Sequence, residues 1–269
     1  MLLRELRRLY RAAALLLHVL LGVAIACAIL PLPSRPRLAR KLGPWWLRRG
    51  ASVLGVRVMS HGAPAQEACL LVANHISWLD ILVFATQCDA GFVAKAEVGR
   101  WPLIGWLAEV GGTEFVQRGS HDSAARLLER MVRRLKRGER LTVFPEGTSR
   151  AQVVPGRFRP RLLQAAVEAG VHVQPVAIYY GAGAETLQRV AFVGEETFLH
   201  HLWVLLGSDP VLAEVTFLPP LSSILGDSRL LADEAWNAAS YTLRRLELYE
   251  LEAKHQDQVL HDVGLTHAV

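Results

Sequence analysis

The chain has 269 residues, 51% of them hydrophobic, enough for one sizeable core with room for an appended segment, so a single main domain is expected. The formal net charge of +5 hides an asymmetry. Of 30 basic and 25 acidic residues, the first fifty positions hold ten basic ones (Arg4, Arg7, Arg8, Arg11, Arg35, Arg37, Arg40, Lys41, Arg48, Arg49) and Glu5 alone; that piece is basic, the body is acidic, and the N-terminal end is directed at an acidic surface.

Between the basic clusters lies AAALLLHVLLGVAIACAIL, residues 12–30, in which only His18 is polar. As a helix it would measure about 28 Å at ~1.5 Å per residue. A membrane surface accounts for this pattern better than nucleic acid does. The following PLPSRPRLARKLGPWWLRRG stays basic and adds Trp45 and Trp46, side chains that settle at headgroup depth. Positive charge on both flanks fits a helix that enters one leaflet and returns rather than one that spans. Residues 1–50 are therefore expected to be membrane-anchoring helices and 51–269 the main domain. A cleaved signal peptide and a buried helix of a soluble protein are the rival readings. Cys27, Cys69 and Cys88 lack paired spacing and sit in apolar stretches, which indicates a reducing compartment and no disulfide or zinc framework.

From residue 51 onward short apolar runs alternate with amphipathic stretches. CLLVA (69–73), GFVAK (91–95), EFVQ (114–117), LTVFP (141–145), VQPVAIYY (173–180) and AEVTFLP (213–219) read as buried strands; 78–87, 121–137, 160–169 and 228–253 read as helices. In 121–137, Ala124, Leu127, Leu128, Met131 and Leu135 form one stripe and Gly138 is a stop. Alternating strands and helices predict an α/β fold over a largely parallel or mixed sheet flanked by helices. GAGAET, 181–186, is only a fragment of a dinucleotide fingerprint and reads as a turn.

After the first of these strands comes NHISWLD. Ser77 followed three residues later by Asp80 is a capping box, which starts a helix whatever the function. In one continuous helix His75 and Asp80 would lie roughly 140° apart, since each residue turns ~100°. If the helix begins at Ser77, however, His75 precedes it and Asp80 can reach back to the imidazole. Asp80 would then fix the tautomer and stabilise the imidazolium, while the other ring nitrogen takes a proton from a hydroxyl. FPEGTSR, 144–150, ends a strand and turns at Gly147, placing Glu146 and Thr148 at a strand's C-terminal edge, where open α/β sheets bind ligands. EFVQRG places Arg118 just after another strand, and Lys95 ends GFVAK. No G-x-S-x-G elbow occurs, no cysteine has a base nearby, and His75 and Asp80 lack a third ligand, so neither a covalent intermediate nor a metal is indicated. His200 and His201 read as structural, and the arginines of 126–137 as a solvated helix face.

NHISWLD, EFVQRG, FPEGTSR and VQPVAI, in this order over about a hundred residues, resemble the four blocks of the glycerolipid acyltransferases, specifically the bacterial 1-acylglycerol-3-phosphate acyltransferases; VAKAEVGRWPLIGWL, 93–107, is similar to that family's linking segment. The resemblance covers residues 50 to 220. It implies a glycerol-3-phosphate acyltransferase-like fold and transfer of a fatty acyl group from acyl-CoA or acyl carrier protein, as co-substrate and with no further cofactor, to a lysophospholipid hydroxyl, with lysophosphatidate the expected acceptor and lyso-ornithine lipid the alternative. It implies work at the cytoplasmic side of the inner membrane. By the same resemblance His75 is the general base and Asp80 its partner, Arg118 and Lys95 hold the acceptor's phosphate, and Glu146, Gly147 and Thr148 line the acceptor site. Two positions depart from the pattern: Ser149 intervenes before Arg150, and Arg161 stands where a small residue is usual. A noncatalytic lipid-binding protein and a lipid hydrolase using the same histidine on water are the rival classes.

Overall fold

The computed structural model describes residues 2–101, 103–116, 121–181, 183–223 and 226–262. The basic, apolar N-terminal stretch folds as a helical hairpin of α1 (Leu2–Ile29) and α2 (Arg35–Val53). The boundary expected at residue 50 thus falls inside α2. At ~1.5 Å per residue α1 is roughly 42 Å long, and it is long and apolar enough to cross a membrane. The two helices pack because Gly22 of α1 leaves room for the indole of Trp46, whose Nε1 donates to the carbonyl of His18 at 3.0 Å while its ring stacks on the His18 imidazole at 4.7 Å.

The main domain is built on seven strands: β1 (Val56–His61), β2 (Cys69–Ala73), β3 (Gly91–Lys95), β4 (Glu114–Val116), β5 (Leu141–Val143), β6 (His172–Tyr180) and β7 (Val211–Phe217). Their order among the described residues is β1-β7-β6-β2-β5-β3-β4, with every neighbouring pair parallel except β6 and β7. The mixed-sheet expectation holds. The sheet begins with a strand that hydropathy did not reveal: β1 reads VRVMSH, an edge strand whose last residues are exposed, so it carries too few buried apolar positions to stand out. Pro175, in the middle of central β6, is tolerated for a local reason. Its carbonyl accepts from the Leu218 N–H, so its missing donor faces the same way, beyond the end of the β6–β7 ladder at Val176 and Phe217.

Helices cover both faces: α3 (Leu79–Gln87), α4 (Ala96–Gly99), α5 (Ile104–Val110), α6 (His121–Lys136), α7 (Gln164–Ala169), α8 (Ala184–Val190), α9 (Phe198–Gly207) and α10 (Ser228–Asp262). Alternation along β2 divides the core, as the pleat demands: Leu71 and Ala73 pack with α3, Ile178 and the end of α2, whereas Leu70 and Val72 pack with α6, α7 and α10. The expected stripe of α6 is there, with Leu127, Met131 and Leu135 buried. Its outward arginines are less free than expected, because Arg130 and Arg134 pair with Glu114, and Arg134 and Arg137 with Glu139. GAGAET leads from its glycines straight into α8, with Gly183 at a φ of 86° before the first turn.

The hairpin is fastened to this domain by its own cations. Arg11 donates to the Ser208 carbonyl at 2.7 Å at the C-terminal end of α9, Arg7 pairs with Asp209, and Arg48 of α2 donates to the Ala85 carbonyl in the last turn of α3 at 3.1 Å. Part of the N-terminal charge therefore satisfies helix ends and a carboxylate of the same chain; Arg35, Arg37, Arg40 and Lys41 remain exposed at the start of α2.

A Cβ added at Gly22 would lie 2.7 Å from the Trp46 ring. Gly22→Val is expected to prise α1 from α2 and to destabilise the protein by about 1–3 kcal/mol, the usual cost of overpacking. Thermal unfolding in detergent measures it, and an unchanged melting temperature would contradict the packing described.

Candidate active site

β2 delivers NHISWLD to the C-terminal edge of the sheet, and each backbone group there finds a partner. The Asn74 side chain continues the sheet by accepting from the Ile178 N–H at 2.8 Å and donating to the Ile178 carbonyl at 2.9 Å. The His75 N–H donates to Glu146 Oε1 at 2.8 Å, and the His75 carbonyl accepts from the Arg150 N–H at 2.9 Å. The Ile76 carbonyl accepts from Phe192 N–H at 3.0 Å. A loop so tied cannot rotate the histidine away from its site.

Asp80, fully buried in the first turn of α3, completes the arrangement. Its Oδ2 accepts from the backbone N–H groups of Ile76 (2.8 Å) and Ser77 (3.0 Å) and meets His75 Nδ1 at 2.8 Å, while Oδ1 accepts from the Tyr180 hydroxyl at 2.7 Å. Because the carboxylate accepts from all its neighbours, Nδ1 carries the ring proton and Nε2 has the free lone pair. Burial, and then the nearby charge of Asp80, hold the Tyr180 phenol well above its ordinary titration range, so it stays a donor. No described residue hydrogen-bonds Nε2. The imidazole stacks on Phe144 at 4.3 Å, which fixes the ring plane as Asp80 fixes its rotation. Half of the expected capping box is realised: Asp80 reaches back to the Ser77 N–H, but the helix starts later, with Trp78 at the N-cap, and the Ser77 hydroxyl has no partner among the described residues.

The FPEGTSR turn lies against the same histidine. The Gly147 N–H donates to the Phe144 carbonyl at 3.1 Å, and Gly147 takes a φ of 75°, a conformation that glycine adopts without strain. The geometry departs from expectation at Glu146. Its carboxylate is buried and turned inward, accepting from the His75 N–H and, at 2.8 Å, from the Gly156 N–H, with Arg150 Nε 3.5 Å away. Burial raises its carboxyl above the ordinary value, opposed by those same hydrogen bonds. Glu146 is thus a clamp behind the histidine and does not line the cleft, whereas Gly147 and Thr148 do. Arg150, for which the sequence offered no role, belongs to that clamp through its backbone N–H and its side chain.

His75 opens onto a cleft of about 1570 Å³. Apolar side chains from α3 (Ile81, Leu82), α5 (Ile104, Leu107) and the hairpin (Leu15, Leu47) form most of its walls, while Lys95, Arg159 and Arg161 bring positive charge to it. Arg118, the other expected phosphate ligand, lies outside the described residues. Cys88 also lines the cleft, but burial pushes its thiol up to about 11, and that of Cys69 to about 12, so neither is a ready nucleophile at neutral pH. Sequence reasoning missed Asn74, Tyr180 and the bond from Trp78 Nε1 to His201 Nδ1 at 3.0 Å, which ties α3 to α9. Each is a contact across a hundred residues or more and leaves no local pattern.

The Acyltransferase family profile matches residues 56–179. Over 245 residues, 89% of this chain and 94% of the relative, the sequence is 39% identical to the lyso-ornithine lipid O-acyltransferase of Pseudomonas aeruginosa. It is 33% identical over 182 residues to the 1-acyl-sn-glycerol-3-phosphate acyltransferase of Neisseria meningitidis serogroup B, covering 65% of this chain and 68% of that protein. In fold it is similar to the crystal structure of PlsC, the 1-acyl-sn-glycerophosphate acyltransferase of Thermotoga maritima, with a TM-score of 0.70 at 21% identity over 91% of this chain and 96% of that one.

Asp80→Asn places an amide where four donors converge, and acyl transfer is expected to fall by roughly 10²–10⁴-fold, the scale of losing general-base catalysis. Tyr180→Phe removes one of those donors and is expected to cost about 1–3 kcal/mol of stability with a smaller loss of rate. Steady-state kinetics with denaturation curves separate the two, and an Asp80→Asn enzyme of wild-type rate would contradict the role of the pair.

Proposed function

Because the chain belongs to the Acyltransferase family, we propose that it moves a fatty acyl group from a thioester, acyl-CoA or acyl carrier protein, to the hydroxyl of a lysolipid at the cytoplasmic face of the inner membrane. The observation that carries this reading is His75, oriented by buried Asp80 and with Nε2 unengaged among the described residues, lining a largely apolar cleft whose walls include the hairpin.

In the proposed reaction Nε2 takes the proton of the lysolipid hydroxyl as its oxygen attacks the thioester carbonyl carbon. The tetrahedral intermediate collapses, the carbon–sulfur bond breaks, and the departing thiolate receives the proton from Nε2. Asp80 remains ionised and holds the imidazolium through Nδ1–H, and the apolar walls hold the acyl chains and exclude water, which disfavours simple hydrolysis. The hairpin is read as seated in one leaflet, its exposed leucines in lipid and the basic start of α2 at the headgroups. Each basic residue near an anionic surface adds about 1 kcal/mol to that attachment before salt screening.

Of the two acceptors, lyso-ornithine lipid is favoured, because the relative matched over 94% of its length carries that name. Lysophosphatidate is the second reading, supported by Lys95 and Arg161 at the cleft and by the sequence's resemblance to enzymes that use it.

His75→Ala should leave a folded protein with transfer lowered by roughly 10²–10⁴-fold. Radiolabelled acyl donor given to the wild-type enzyme with each lysolipid should yield product fastest with lyso-ornithine lipid, whereas a preference for lysophosphatidate would favour the second reading. Free fatty acid released at the same rate without any acceptor would overturn the transfer chemistry.

A further inference from the structure

Two exposed leucines stand at the rim of the cleft. Leu103, between α4 and α5, is 53% exposed and Leu199, in the first turn of α9, is 74% exposed, yet both line the cleft. The Trp101 ring lies 4.4 Å from that of Phe198, holding the α4–α5 connection beside α9, so the leucines flank one opening. Among the described residues Leu103 alone is a non-glycine with positive φ, at 61°. Such a conformation is strained, and here it carries an apolar side chain into the open instead of into the core.

The apolar surface does not stop at the rim. Trp203 lies four residues after Leu199, hence on the same side of α9, and is 48% exposed. The Arg8 guanidinium sits 5.0 Å over the Trp203 ring, and Arg11 caps the end of α9. These contacts lay α9 against the buried stripe of α1's N-terminal half, while Leu2, Leu6 and Leu9 are exposed on the other side of that helix. On α9 itself, Leu199 and Trp203 form an exposed apolar stripe that leads to the rim of the cleft, and an exposed apolar patch marks a contact with lipid or protein. Tryptophan beside arginine at its edge is the composition that settles at headgroup depth.

We infer that α9 is a second lipid-contacting element, and that Leu103 and Leu199 frame an opening through which the chain of a leaflet lipid passes into the cleft. The inference rests on the reading of α1 as seated in the membrane, since α9 packs directly against that helix. A lipid acceptor then reaches His75 by lateral movement, with its headgroup kept at the water boundary.

The test uses the full chain. Leu199→Cys, in a Cys27→Ala background because Cys27 is the exposed native thiol, is labelled with an environment-sensitive fluorophore and mixed with vesicles of phosphatidylethanolamine and phosphatidylglycerol. The label is expected to shift to the blue and to be quenched by lipid-borne nitroxide. Trp203→Glu should lower the rate on an acceptor embedded in vesicles on the order of tenfold, equivalent to about 1.4 kcal/mol, while a short-chain acceptor dispersed in solution keeps its wild-type rate and Trp203→Phe retains both. A label that stays in water although the protein floats with vesicles would overturn this inference alone. Failure of the wild-type chain to float would overturn it together with the membrane reading of α1. Equal losses on both acceptors would make Trp203 a structural residue and also overturn it.

Discussion

The site depends on one buried carboxylate. An unpaired charge within the core would be untenable, and Asp80 is held there because four donors from three places converge on it: the His75 ring, two backbone N–H groups of its own loop, and a tyrosine hydroxyl at the end of β6. That requirement orders the surroundings. The two N–H contacts force the chain between Ala73 and α3 into a tight loop, the loop places His75 beside the helix that begins after it, and the carboxylate selects the tautomer that leaves Nε2 free. Orientation of the histidine and satisfaction of the charge are one set of hydrogen bonds.

A second buried carboxylate, Glu146, secures the same loop from behind. It joins His75 to the FPEGTSR turn and the turn to Gly156, so displacement of the histidine backbone would break bonds in three segments at once. Such over-determination lets a solvent-facing side chain keep a fixed position beside a large cleft. On the far side Trp78 and His201 connect α3 to α9, and Arg11 connects α9 to α1. The apolar hairpin and the His75–Asp80 pair are therefore parts of one mechanically continuous unit, consistent with a substrate that is itself a lipid.

The sequence made legible whatever is local and periodic. The buried strands stood out as apolar runs, α6 as a stripe and the hairpin as an apolar stretch between basic ones, and the His75–Asp80 pair followed from spacing together with a helix start. The edge strand β1 did not stand out, because four of its six residues are exposed. Glu146 was placed in the cleft by analogy of position, whereas the structure turns it inward, because its backbone donors lie seventy-one positions before it at His75 and ten positions after it at Gly156. Tyr180 read as one more strand residue, and only the parallel pairing of β2 with β6 reveals that its hydroxyl meets Asp80. Several N-terminal arginines read as ligands for an acidic surface, though Arg7, Arg11 and Arg48 are engaged within the fold.

The central claim is that acyl transfer goes directly from thioester to lysolipid, with His75 moving the proton and no side chain carrying the acyl group. Rapid-mixing measurement of thiol release from a labelled acyl donor tests it most directly. The account predicts release that keeps pace with lipid product from the first turnover and no labelled protein after denaturation. A burst of thiol stoichiometric with enzyme, accompanied by acyl label covalently held on the protein, would contradict it.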